Sequence, residues 1–285
     1  MKISRRRLIL SSAVIGVSGT HLRSTFAADS VPASPKAFTV QDTTDKLVRI
    51  YASRGLQQVQ AAPMITGHHF NGGLNYDDSM FGSVKSEYII QPASRVEDAV
   101  KKNKPGTLPL FTIFAAVPGN KNVSVVDNLK RDIQAVIVEF GLKPELIRVT
   151  STELINPYLQ ILLDLGISQA QIRVRPLALA KEAGDGSGWF APSGHPLQSS
   201  YPTFSLEYQM PDGTELEFAE FDLSPVNSCG IGFGIERLTM ARNNAYFTWD
   251  EYLPKFKQIV ENDARDNKKK LPAGYYTIIG QPQPA

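Results

Sequence analysis

The residues best equipped for chemistry fall in three stretches of this chain. Glu215, Glu217 and Glu220 lie in Glu215-Leu216-Glu217-Phe218-Ala219-Glu220-Phe221, an alternating run that reads as a strand after the turn Met210-Pro211-Asp212-Gly213. Carboxylates gathered on one strand face suit an ammonium group or a metal; the competing reading is a solvated edge strand. Side chains on a strand alternate, so Glu215 and Glu217 share a face, whereas Glu217 and Glu220 are expected on opposite faces. The second stretch is Gly230-Ile231-Gly232-Phe233-Gly234-Ile235-Glu236-Arg237. It reads as a glycine-rich turn in which Gly230, Gly232 and Gly234 let the backbone approach a flat ligand, with Arg237 held over it by the following helix. It is no dinucleotide fingerprint, because it follows an antiparallel hairpin late in the chain and has Arg where the last glycine should stand. The third is Gly67-His68-His69-Phe70-Asn71-Gly72-Gly73, where His68 offers a base or a ligand beside a lid. Two adjacent histidines do not complete a zinc site, so no metal is assigned; Cys229 either joins them or is a lone buried thiol. Trp189 and His195 read as exposed loop residues or as core anchors, and no Ser–His–Asp spacing is recognisable.

These residues need a sheet to carry them. Helical spacing is expected over Asp42–Arg54, Asn128–Phe140, Ile155–Leu165 and Asp250–Asn267, the first three closed by Gly55, Gly141 and Gly166. Strands are expected at Leu56–Ala62, Ser86–Pro92, Leu108–Val117, Leu146–Ser151, Phe204–Gln209 and Glu215–Leu223, with a loop or lid over Thr66–Ser83. Sequential strand pairs with helices grouped around them give an α+β class: an antiparallel β-sheet flanked by helices.

The amino terminus places Arg5-Arg6-Arg7 before an apolar stretch, Leu8–Val17, with small residues at Ala27 and Ala28. That is the pattern of a twin-arginine export signal over residues 1–28, short and rich in Ser and Gly for a membrane span; the competing reading is an uncleaved anchor. Residues 29–38 read as a linker, 39–272 as the folded domain and 273–285 as a C-terminal tail. Residues 1–28 hold five basic residues and no acid, so their removal takes the formal charge from +2 to about −3. With no basic excess, nucleic acid is not an expected partner, and neither is a membrane after cleavage. One cysteine excludes an internal disulfide. The expected location is periplasmic or secreted.

The stretch Gly230–Met240 resembles motif 3 of the class II aminoacyl-tRNA synthetases, whose arginine stacks on adenine and contacts ATP phosphate. The similarity runs over roughly residues 40–245. The helix, Gly55, strand and Pro63 look like motif 1, which pairs two subunits. Tyr88-Ile89-Ile90-Gln91-Pro92-Ala93-Ser94-Arg95 is similar to the strand leading into motif 2 in the glycyl-tRNA synthetase alpha chain and, more distantly, in alanyl-tRNA synthetase. The resemblance implies a class II catalytic core, a homodimer burying the apolar face around Leu47–Pro63, and Glu220 at a polar contact to an amino acid, with Glu217, Trp189 and the glycines as further ligand contacts. It also implies ATP, but the strand matching motif 2, Gly106–Phe114, has no arginine; Arg95 or Lys104 would have to replace it. No tRNA-recognition or editing domain fits in the residues after motif 3.

Two readings from different classes follow. One is an exported synthetase-fold protein acting on an amino acid or aminoacyl-type molecule by transfer, cyclisation or hydrolysis without charging tRNA, with Glu220, Arg95 and Arg237 as catalytic residues. The other is a non-catalytic module that binds an amino acid or a nucleotide-like molecule. An ATP-dependent glycyl- or alanyl-type ligase is the third, opposed by the missing motif 2 arginine.

Overall fold

The computed structural model describes residues 37–73, 86–118, 124–191, 200–223 and 230–284. The fold opens with α1 (Val40–Ser53), where the Thr39 hydroxyl accepts from the Asp42 amide and the Asp42 carboxylate accepts from the Thr39 amide. Thr43, Leu47 and Tyr51, one turn apart, form its buried face. Then come β1 (Gln57–Val59), the small hairpin β2 (Ile65–Thr66) and β3 (His69–Phe70), β4 (Ser86–Ala93) and β5 (Phe111–Pro118). The expected helix over 128–140 is α2 (Val125–Gln134) running on as a π-helical segment, Ala135–Glu139.

After β6 (Ile147–Thr152), the single helix expected over 155–165 divides into a 3-10 segment, Glu153–Tyr158, and α3 (Leu159–Asp164). Pro157, lacking an N–H, sits inside the first part. The chain continues through β7 (Ile172–Arg175), α4 (Leu177–Ala183), β8 (Trp189–Phe190), β9 (Tyr201–Gln209), β10 (Glu215–Asp222) and β11 (Ile231–Gly234). It closes with α5 (Ile235–Asn243), α6 (Trp249–Asp266) and α7 (Ala273–Ile279). Among the described residues no helix is long and apolar enough to cross a membrane.

The described strands build a nine-stranded sheet in the order β1-β4-β5-β11-β10-β9-β6-β7, with β8 added against β9. Only β1–β4 and β6–β7 pair in parallel, so the α+β reading holds. The segment read as a glycine-rich turn is a strand, β11, hydrogen-bonded on both sides between β5 and β10. Ile231 and Phe233 explain why: they supply one apolar face, leaving the two glycines to the other.

Alternation divides the sheet into two unlike faces. Phe204, Leu206 and Tyr208 of β9, Phe221 of β10, Phe233 of β11 and Phe114 of β5 enter one core with Leu47 and Tyr51 of α1 and Leu129 and Ile133 of α2. Each fully buried phenylalanine contributes about 2–3 kcal/mol, so this face carries the fold and frees the opposite one for polar residues. Tyr51 packs 5.1 Å from the Phe114 ring and donates to Asp132 of α2, which also meets Arg54. The apolar face of α1, expected to meet a twin, is therefore already covered by this chain's own sheet.

A smaller core joins Met64, Ile65 and Leu110 to Phe256 and Val260 of α6 and to Tyr275 and Ile278 of α7. Residues 273–279, read as part of a tail, are thus a packed helix.

Candidate ligand-binding site

On the face away from the main core, β9 presents Thr203, Ser205 and Glu207, and β10 presents its acids. The pairing of these two strands contains the decisive irregularity. Glu217 stands opposite Glu207, but Ala219 stands opposite Leu206, so Phe218 is one residue too many. This is a β-bulge. Phe218 and Ala219 both enter the core, and burying both apolar side chains costs the strand its strict alternation. As a result Glu217 and Glu220, expected on opposite faces, lie on the same one, each acting electrostatically on its surroundings there.

Glu220 is flanked in register by Ser205 of β9 and Gly232 of β11. A Cβ on Gly232 would meet nothing within 4 Å, so the sheet is open beside the carboxylate. Against Glu220 from another side lies Gly186, whose φ of +87° and lack of a side chain let its backbone press where a Cβ would collide with Glu220 Oε2.

The loop carrying Gly186 is well held. Its amide donates to the Trp189 carbonyl (3.0 Å), and its carbonyl accepts from the Thr203 hydroxyl. Arg175 donates to Asp185 (2.9 Å) and to the Ser187 carbonyl (2.9 Å). Trp189 is tied by its indole N–H to Ser200 Oγ (2.6 Å) and carries Lys181 over its ring. Trp189 therefore anchors the loop that abuts Glu220.

The acids of this face differ in what they meet. Glu207 accepts from Thr150 Oγ1 (3.1 Å) and Ser205 Oγ (3.0 Å). Glu215 pairs with Arg173 at the exposed end of the strand. Among the described residues no group hydrogen-bonds the carboxylate of Glu217 or Glu220, although protein surrounds both. Burial raises the Glu217 carboxyl above its usual range, with Glu207 adding to the shift and Arg237 opposing it. For Glu220, burial and then the charges of Glu217, Asp222 and Asp185 push the carboxyl up to about 8, with Arg95 opposing. Unpaired acids in such surroundings mark a functional site more often than a structural one.

Two cations border these acids. Arg237, at the start of α5, donates from Nε to the Gly106 carbonyl (3.3 Å) and from Nη1 to the Glu217 carbonyl (3.4 Å). Arg95 donates from Nε to the Gly72 carbonyl (2.9 Å) and lies 5.0 Å from the centre of the Phe111 ring. Among the described residues neither forms an ion pair, so both guanidinium groups retain free donors for an anion. No protein-family model and no curated protein matches this chain.

The structure thus brings together Glu217, Glu220, Gly232, Arg95 and Arg237. Gly234 lies beneath the Arg237 side chain, and Gly230 packs against β5, where a Cβ would sit 3.1 Å from the Ala116 carbonyl oxygen. His68 occupies the exposed turn of the β2–β3 hairpin beside the smaller core, and is not brought to the acids. Among the described residues no group of three or more His, Cys, Asp or Glu is placed to hold a metal. The export signal, the segment 74–83, His195 and Cys229 lie outside the described residues.

Sequence reading passed over Glu207, Ser205, Asp185 and Gly186. The alternation Thr203–Ser205–Glu207 was a usable signal for the first two. Asp185-Gly186-Ser187-Gly188 was a turn signal, but nothing in it told which carboxylate it would meet.

Proposed function

We propose that this protein is an exported, class II synthetase-like domain that holds a small amino-acid-like molecule by its ammonium group and does not charge tRNA. The observation that carries this reading is the pair Glu217 and Glu220, turned to one open face by the bulge and without hydrogen-bond partners among the described residues. A primary ammonium has three donors and a full charge, and matches two acceptor-only carboxylates. Arg95 and Arg237 complement the anionic end of such a ligand, whether carboxylate or phosphate. The mixed sheet with its Arg237 helix supports the synthetase-like reading at the level of architecture, and the Arg5-Arg6 pair supports export.

The site serves either plain binding or chemistry on an aminoacyl group. One feature favours the second: a carboxyl titrating near 8 still carries its proton at neutral pH, as a general acid must.

The test is a thermal-shift and calorimetric screen of the standard amino acids and simple amines. At least one primary amine should bind, and Glu217→Gln and Glu220→Gln should each weaken it roughly tenfold, as expected for hydrogen bonds to charged groups. Wild-type affinity in both variants would sink the reading. Native mass spectrometry of protein recovered after export would identify the ligand itself.

The same proposal includes a homodimer. Since Leu47 and Tyr51 are spent inside the chain, it would rest on β1, whose Gln57 and Gln58 are exposed on an edge strand. Light scattering at micromolar concentration should give twice the chain mass, and a monomer would overturn this part.

A further inference from the structure

We infer that the Glu217–Glu220 pair stores a proton in the free protein and surrenders it when a cation enters, so that ligand capture is an exchange of one positive charge for another. This deepens the reading above and rests on it. The geometry comes first. The bulge sets two carboxylates side by side on one face, Gly186 backbone closes over one of them, and no described donor satisfies either. Two like charges packed together without donors cannot both stay ionised, and sharing one proton relieves them.

Charged and titratable groups face the pair from each neighbouring element. From β10 itself comes Asp222; from β9, Glu207 and the Tyr201 phenol; from the loop before β8, Asp185. Against them stand Arg95, after β4, and Arg237 of α5, while Arg173 of β7 lies 3.8 Å from Glu207 and Arg175 pairs with Asp185 at 2.9 Å. Tyr201 is itself raised by burial and by Glu220 and Asp222, so it stays a neutral phenol and offers no charge. Glu207 and Asp185 thus have cations and donors of their own, whereas among the described residues nothing donates to Glu217 or Glu220, so it is this pair that is short of positive charge. A proton supplies it in the free state and an ammonium in the bound state.

The sign follows from which form binds. A cation binds the ionised pair, so below the raised value of about 8 each binding event releases a proton, and above it none. Affinity should therefore rise about tenfold for each pH unit up to that value and then level off.

The experiment uses ethylammonium, which stays charged throughout this range, with tetramethylammonium as a control for ionic strength. Infrared difference spectra between wild type and Glu220→Gln at pH 6.5 should contain the carbonyl band of a protonated carboxyl group. Ethylammonium should bleach that band in the wild type, and its affinity should increase about tenfold from pH 6.5 to 7.5. Glu220→Gln, a neutral isostere, should bind more weakly and without pH dependence. Absence of the band from the free wild type overturns the inference whatever the amine does. Binding of ethylammonium with the band intact, or with equal affinity at both pH values, overturns it while leaving the amine site standing. An intact band with no ethylammonium binding at any pH sinks the amine site and the exchange together, yet upholds the stored proton.

Discussion

A chain lacking residues 1–28 should catalyse amino-acid-dependent pyrophosphate exchange several hundred-fold more slowly than a synthetase core needs, which is to say at background, with each of the standard amino acids. Adenylate formation builds negative charge on the α-phosphate, and a guanidinium fork beside it is the usual electrostatic support. On the proposed synthetase-like reading the place of that fork falls to Leu108-Pro109-Leu110, and both leucines are buried, Leu110 completely in the smaller core with Met64 and Phe256. These positions are committed to packing and cannot turn a charge toward the site. Losing one preorganised donor costs about 3–4 kcal/mol of barrier, a factor of several hundred. Arg237 remains, but Gly106 and Glu217 carbonyls hold two of its nitrogens. Exchange with glycine or alanine well above background would overturn the prediction and make Arg95, already beside the acids, or Lys104 the replacement.

The division of the sheet into an apolar and a polar face was legible in the chain, because Phe204-Ser205-Leu206-Glu207-Tyr208 alternates without a fault. The site was not, and a single doublet explains why. In Leu216-Glu217-Phe218-Ala219-Glu220-Phe221 two neighbouring apolar residues interrupt the alternation. Counting offsets puts Glu217 and Glu220 on opposite faces; burying the doublet forces the bulge and reunites them. A broken alternation is thus itself a signal, provided both neighbours are apolar and the strand is central. The glycine run misled for a related reason. Three glycines suggest a turn, yet Ile231 and Phe233 between them fill the core, and a central strand tolerates glycines on a face left open for a ligand. Other elements gave too little to read. In β7 the alternation Ile172-Arg173-Val174-Arg175 lasts only four residues, too few to announce a strand, and on this edge Val174 is half-exposed. The place of Gly186 against Glu220 depends on a contact across more than thirty residues of chain, which no local pattern encodes.

Gly186→Ala should abolish ligand binding, by about a hundredfold or more, and Gly213→Ala should leave it unchanged. The two glycines share nearly the same backbone conformation, with φ of +87° and +82°, so alanine at either pays the same left-handed strain, about 1–2 kcal/mol of stability. They differ in what surrounds them. A Cβ at Gly213, in the turn between β9 and β10, meets nothing within 4 Å. At Gly186 it falls on Glu220 Oε2 and lies close to Oε1 as well, at 3.3 Å, so the carboxyl must swing away from the open face or the loop must lift. Lifting the loop would break the Thr203, Trp189 and Arg175 hydrogen bonds that hold it. Moving the carboxyl is the smaller disturbance, and it removes one of the two ammonium acceptors while filling the space beside it. Denaturant unfolding reads the first effect and calorimetry with the best amine from the screen reads the second. Equal loss of stability with binding lost only in Gly186→Ala places the ligand against Glu220. Wild-type affinity in Gly186→Ala would place it elsewhere on the molecule and end the case for this face as the binding site.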